Sequence, residues 1–282
     1  MNEHIGKESG LADFYILDRT ADEAERDVLY AFALDELLCR HTGQGGPAIC
    51  HMWRHPKGFV MGLRDSRLPG AGEAQRRLKA AGWSTAVRNS GGAAVPLDPG
   101  VVNLSLIVPK PSVDSFHFHD DFERLYALVS LALKETGRKV DKGEIAGAYC
   151  PGEYDLSIDG RKFCGIAQRR QTHASIVQAF VVTEGAGADR TRLVRSFYEQ
   201  AAAGEGPRDH PVVTDGSTAS LEELTGLGPG AGRAFVKAVK RVLIPLQTEA
   251  ELMAAEAKLA LPREDEILEM AETLRARYAI EE

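Results

Sequence analysis

The order of its periodic segments constrains this chain most. Strand-like runs at 48–64, 85–109 and 154–183 come first, and the chain beyond residue 190 is almost wholly helical in pattern. Helical stretches at 71–81 and 120–137 fall between the strands without regular strand–helix–strand alternation. That order predicts an α+β (α/β-type) domain, a mixed β-sheet flanked by helices. One domain over 1–282 is expected, with a core of about 44–245 and a helical C-terminal extension.

Residues 22–40 read as an amphipathic helix ended by the glycine-containing turn 41–47. Two short strands within 48–64 flank the turn His55-Pro56-Lys57-Gly58, and 85–89 is a strand entering the small-residue loop 90–94. Residues 101–109 alternate as a further strand, and Gly137 stops the helix begun at Asp120. Asp159-Gly160 marks a hairpin between strands 154–158 and 161–168, and 172–183 continues the sheet. Helices are expected over 190–203, 220–224, 232–258 and 263–278.

Composition excludes several classes. Of 282 residues, 44% are apolar and 27% charged, enough for a real core and no signature of disorder. The net charge of −7 argues against a general nucleic-acid binder, although a local basic patch for an acidic protein remains open. No run approaches the roughly 18 apolar residues of a spanning helix, so no membrane association is expected. The opening MNEHIGKESG has no apolar core segment, so no secretory leader is expected and the protein is read as cytoplasmic.

The cysteines are Cys39, Cys50, Cys150 and Cys164, with no Cys-x-x-Cys pair, so no zinc or other metal site is expected. Cys39 ends a helix and reads as a buried structural thiol. Cys150 stands in the turn Tyr149-Cys150-Pro151-Gly152, where a thiol has the access a nucleophile needs. Only about 3% of an unperturbed thiol is ionised at neutral pH, so a nearby cation would help. The hairpin offers Lys162 on the strand returning toward Cys150. Cys164, two residues further on, competes for the role but sits inside a strand and reads as packed. The loop Arg88-Asn89-Ser90-Gly91-Gly92-Ala93 follows a strand and lets a ligand approach the backbone, although a Gly-Gly pair is more often a plain turn. His117 and His119 could share a strand face for a metal, but no third ligand accompanies them and a solvated loop is the better reading.

Two blocks carry a resemblance. Arg88-Asn89-Ser90-Gly91-Gly92-Ala93-Ala94-Val95, with Asp98-Pro99-Gly100 and Asn103-Leu104-Ser105, is similar to the signature of the biotin/lipoate protein ligase superfamily. Residues 149–158, with Arg161-Lys162 and 165–170, resemble its amidotransferase branch, the octanoyl-[glycine cleavage H protein]:protein octanoyltransferases. The resemblance spans at least 50–183, and 185–282 carry no recognised motif.

The resemblance implies the superfamily's mixed sheet and an octanoyl or lipoyl group carried as a thioester on Cys150. Lys162 would lower that thiol's pKa. Arg88, Ser90, Gly91, Gly92 and Ala93 of the loop, with Gly165, Ile166 and Ala167 of the strand, would bind the acyl chain. The donor would be octanoylated glycine cleavage H protein, the acceptor a lysine on lipoyl domains of 2-oxoacid dehydrogenases, and no ATP would be used. The ATP-using ligases usually show Arg-Arg-x-Ser-Gly-Gly-Gly and His-Asp, and the corresponding positions here are Asn89, Ala93 and Leu97-Asp98. The alternatives left open are an octanoyl transferase fed by acyl carrier protein, an ATP-dependent lipoate or biotin ligase, and a non-catalytic acyl-carrier binder.

Overall fold

The computed structural model describes residues 10–22, 27–110, 118–203 and 210–280. Its centre is a seven-stranded sheet built from β1 (Phe14–Arg19), β2 (Ala48–Trp53), β6 (Val101–Pro109), β7 (Asp141–Lys142), β8 (Leu156–Ile158), β9 (Arg161–Arg170) and β10 (Ala174–Val182), in spatial order β1-β2-β6-β10-β9-β8-β7. Only β1 and β2 run parallel; the remaining neighbours are antiparallel. A second sheet holds β3 (Gly58–Met61) between β4 (Ser84–Val87) and β5 (Val95–Leu97). The expected mixed sheet flanked by helices is therefore observed.

The helices follow from the two faces of the long strands. Along β10, Ala174, Ile176, Phe180 and Val182 enter one core, and Val177, Ala179 and Val181 enter the other, the period-two pattern of a doubly covered strand. The first core is closed by α1 (Leu29–Gly43), α4 (Gly187–Ala201) and α8 (Glu264–Arg277); α2 (Ala71–Ala80) packs at its edge through Ala74 and Leu78. The second is closed by α3 (Phe118–Leu133), α5 (Leu221–Thr225) and α6 (Ala231–Leu243). On the α1 side, Asp35 of the helix is wholly buried and accepts from Ser105 Oγ (2.5 Å) and Gln178 Nε2 (2.9 Å), with His51 Nδ1 at 2.7 Å. This bolt fixes the helix over the middle of the sheet, because a buried carboxylate is tolerated only with such partners. No helix among the described residues is long and apolar enough to cross a membrane.

Several expectations change. The strands at 48–53 and 58–61 exist, but they join different sheets instead of pairing across the Pro56 turn. The helix expected from 22 begins at Leu29, and 23–26 lie outside the described residues. The single helix expected over 232–258 is two: α6 ends at Leu243, Pro245 sits in a 3-10 turn, and α7 (Glu249–Lys258) restarts on a Thr248–Glu251 capping box. Proline has no N–H to continue the ladder, which is the physical reason for the break. The sequence reading missed β1, a sheet-edge strand. His117 lies outside the described residues, and His119 Nδ1 faces Tyr154 Oη at 3.1 Å.

Candidate active site

Cys150 has φ +47°, in the left-handed region that non-glycine residues rarely enter. Such a conformation costs about 1–3 kcal/mol and persists only where the surroundings enforce it. Lys162 enforces it. Its side chain is wholly buried, and Nζ donates to the carbonyls of Tyr149 (2.9 Å) and Cys150 (2.5 Å) and pairs with Asp155 Oδ1 (2.8 Å). An ammonium has three N–H donors, and these contacts take all three. The backbone of Lys162 is clamped in turn, its N–H donating to Ser217 O and its C=O accepting from Ala219 N. Burial pushes the Asp155 carboxyl up to about 6, with Lys162 holding it down in part.

The sulfur meets different groups. Arg88 Nη2 donates to Cys150 Sγ at 3.1 Å and the Ala93 N–H donates at 3.2 Å. The sequence reading assigned the neighbouring cation to Lys162; the hydrogen-bonded cation on Sγ is Arg88, and Lys162 holds the carbonyls of the turn behind it. A guanidinium does not deprotonate in proteins, so this donor is a fixed positive charge. Arg88 Nη2 also donates to Ala93 O (2.8 Å), which joins guanidinium, loop and thiol. Gly92 makes the approach possible: its φ is +102°, and a Cβ there would lie 2.3 Å from Arg88 Nη2 and 2.9 Å from Cys150 Sγ.

Cys150, 8% exposed, lines a cavity of about 730 Å³. Small-molecule sites run from roughly 300 to 1,000 Å³ and are mostly apolar with a few placed polar groups. Phe32, Trp53, Val60, Val95, Leu97 and Phe180 supply the apolar wall, and Asn103, Ser105, Gln168 and Gln178 the polar positions. Of the residues expected to bind an acyl chain, Arg88, Gly91, Gly92, Gly165, Ile166 and Ala167 line it. Ser90 and Ala93 do not: Ser90 is buried off the lining, and Ala93 contributes its amide to the sulfur. Gly165 lies opposite Phe180 in the β9–β10 register, and a Cβ there would meet the ring at 2.6 Å.

The sequence reading assigned no site role to Asp155, which lies within the 149–158 block, nor to Phe180, Asp65 or Tyr198. Buried Asp65 accepts from Tyr198 Oη (2.9 Å) and from the Gly62 N–H (2.7 Å); Tyr198 Oη in turn accepts from the Ala94 N–H (3.1 Å). Burial pushes both the Asp65 and the Tyr198 groups up. Only Phe180 had a usable signal, since a glycine inside a strand marks a close approach by something across from it.

The mixed sheet, the cysteine turn and the glycine loop define a class. Residues 27–243 match the lipoyl protein ligase A/B catalytic domain, and the chain belongs to that family. It is 43% identical over 202 residues, covering 71% of each chain, to the octanoyl-[GcvH]:protein N-octanoyltransferase of Geobacillus kaustophilus. It is 34% identical over 210 residues to the lipoyl-[GcvH]:protein N-lipoyltransferase of Listeria monocytogenes, covering 74% of this chain and 75% of that one. Such relatives bear out the resemblance read from residues 88–95 and 149–158, and the chain is an acyltransferase enzyme. Among solved structures, a bipartite lipoate protein ligase from Thermoplasma acidophilum superposes with a TM-score of 0.62 at 18% identity, covering 96% of this chain and 95% of that one. A lipoate-protein ligase A bound with ATP gives 0.62 at 16%, covering 96% of each. These last two likenesses establish the fold.

Proposed function

We propose that this enzyme moves an octanoyl or lipoyl group from a lysine of the glycine cleavage H protein to a lysine of a lipoyl domain, through a thioester on Cys150. The observation that carries the proposal is the placement of Cys150 Sγ on the wall of the apolar cavity with Arg88 and the Ala93 N–H donating to it. The names of the relatives supply the carrier and the acyl group.

An amide is a poor electrophile, and a covalent intermediate divides its exchange into two easier steps. Arg88 favours the thiolate by direct charge-assisted hydrogen bonding. The Cys150 sulfur attacks the acyl carbonyl, the C–S bond forms and the C–N bond breaks, and the donor lysine leaves as an amine carrying the proton that the thiol gave up. The acceptor lysine amine then attacks the thioester carbonyl, the new C–N bond forms, the C–S bond breaks, and the amine's surplus proton returns to the sulfur. Both ends are secondary amides of lysine, so the exchange is close to balanced, runs in either direction and needs no nucleotide. Lys162 acts on the geometry of the nucleophile by holding the two carbonyls of its strained turn.

The test is intact-mass measurement after mixing the enzyme with octanoylated H protein without ATP. An octanoyl adduct that maps to Cys150 and disappears on adding a lipoyl domain is the expected result. Transfer that requires ATP and releases AMP would overturn the reading in favour of ligase chemistry.

A further inference from the structure

The loop that donates to the sulfur is itself held from behind. Ala93 and Ala94 are adjacent, and their N–H groups go to different partners: Ala93 to Cys150 Sγ, Ala94 to Tyr198 Oη. A phenol has one proton, and Tyr198 gives it to Asp65 Oδ1 at 2.9 Å. Its lone pairs are thereby left for the Ala94 N–H. The other carboxylate oxygen of Asp65 accepts the Gly62 N–H at 2.7 Å. Gly62 closes the circuit sterically, since a Cβ there would lie 2.0 Å from the Gly92 carbonyl oxygen. The Tyr198 ring is 2% exposed and stacks on His210 at 4.9 Å, so the hydroxyl has little freedom to leave this line.

We propose that Asp65 and Tyr198 are positioning residues that aim the Ala93 N–H, first at the thiolate and then at the oxyanion formed from the acyl carbonyl. Once Sγ is bonded to carbon its acceptor strength falls, which releases both of its donors, Arg88 Nη2 and the Ala93 N–H, to the new negative oxygen; Asp65 and Tyr198 act on the second. A donor preset in this way needs no rearrangement as charge develops. The inference rests on the thioester reading above, and it adds two residues and a role for one amide.

The experiment compares wild type, Tyr198→Phe, Asp65→Asn and the double variant. Tyr198→Phe keeps the ring, its stacking and its volume and removes only the hydroxyl. Asp65→Asn keeps an acceptor for Tyr198 but turns an NH2 group toward the Gly62 N–H. Thermal midpoints establish that each is folded. Two readouts are used: the single-turnover rate of Cys150 acylation by octanoylated H protein, and the rate of Cys150 alkylation by iodoacetamide across pH. Misplacing a donor by about 1 Å can slow a reaction about 10²-fold, so Tyr198→Phe is expected to slow acylation by about 10- to 100-fold with KM for the donor within about twofold. Alkylation is expected to move to higher pH. The double variant is expected to lose clearly less than the sum of the two single losses, because the shared part of the effect runs through one series of contacts.

Acylation and alkylation both unchanged in folded Tyr198→Phe would overturn the proposal. So would losses that add in the double variant, or an effect confined to KM. If wild type forms no adduct, the thioester reading fails by itself, and the alkylation profile still decides whether the relay aims an amide at Cys150.

Discussion

Cys150 and Cys164 are one hairpin apart, and they show how little a cysteine's chemistry depends on being cysteine. Cys164 lies in β9, wholly buried, with its weak S–H contact directed 3.9 Å to the carbonyl of its own neighbour Gly165. Burial pushes its thiol far above the ordinary range, and the nearby Lys162 offsets only part of that. Cys150 is in a left-handed turn, borders the cavity, and receives two N–H donors. Both cysteines are near the same ammonium. What separates them is a donor set aimed at one sulfur and a space in front of it. Cys50, wholly buried and pushed up to about 12 by desolvation, behaves like Cys164.

The contrast breaks most decisively by exchanging sulfur for oxygen. Cys150→Ser is expected to abolish the acyl adduct and to slow transfer by at least about 10⁴-fold, as loss of a nucleophile does elsewhere. Cys164→Ala is expected to keep adduct and rate, and to cost about 1 kcal/mol of stability for the small void it leaves. Mass spectrometry of both variants after exposure to octanoylated donor decides the matter. An adduct that survives in Cys150→Ser and vanishes in Cys164→Ala would reverse the assignment.

The cation behind the turn comes next. Lys162→Met removes the partner of buried Asp155 and should destabilise the fold by about 3–5 kcal/mol at neutral pH, the usual penalty for orphaning one member of a buried pair. Because burial raises the Asp155 carboxyl to about 6, its charged form is the costly one. Lys162 holds that carboxyl down, so in the variant it titrates higher still; the Asp155 part of the penalty grows as pH rises above about 6 and is absent below it, leaving only the loss of the donor to the Tyr149 and Cys150 carbonyls. Urea unfolding of wild type and variant at pH 5 and pH 8 checks this. A deficit equal at both values would mean that Asp155 is not the group left exposed to the loss.

Much of this was legible from the sequence and some of it could not be. The hairpin was, because Asp159 and Gly160 both take positive φ, 52° and 73°, as that dipeptide favours. So was the turn of Cys150, since Pro151 and Gly152 punctuate it. The broken helix at Pro245 was signalled and overlooked. The Arg88–Cys150 contact joins residues 62 positions apart, and the Tyr198–Asp65 contact joins residues 133 apart. No local pattern encodes such pairs; the first follows from the end of β4 and the cysteine turn arriving at one cavity, and the second from α4 reaching the 3-10 turn that begins at Asp65. Lys162 illustrates the same limit. Its proximity to the turn could be inferred from the hairpin, whereas the atom it grips could not.

Arg88 sharpens the comparison further. Arg88→Met keeps much of the side chain's apolar length and removes the charge and both hydrogen bonds to Cys150 and Ala93 O. Transfer should fall about 10²-fold, in the range seen when one electrostatic donor is deleted, and iodoacetamide should react with Cys150 only at higher pH. Cys164, which Arg88 does not touch, should keep its alkylation behaviour. An unchanged Cys150 profile would leave the Ala93 amide as the donor that matters at the sulfur.

The smallest effect tests the space in front of the sulfur. Each methylene withdrawn from water contributes about 0.8 kcal/mol, so the six methylenes of an octanoyl tail contribute at most roughly 5 kcal/mol. One methylene is then a factor of about four, and selectivity among acyl donors should be graded and not all-or-none. Donor H proteins carrying butanoyl, hexanoyl and octanoyl groups should give kcat/KM values rising about fourfold per methylene. The increments belong to the apolar wall formed by Phe32, Trp53, Val60, Val95, Leu97 and Phe180 on the cavity that Cys150 borders. The polar positions Asn103, Ser105 and Gln178 make parts of the lining less favourable for pure hydrocarbon, so some increments should fall below this value. A flat series would show that the tail stays outside, and Cys150 would then differ from Cys164 by its donors alone.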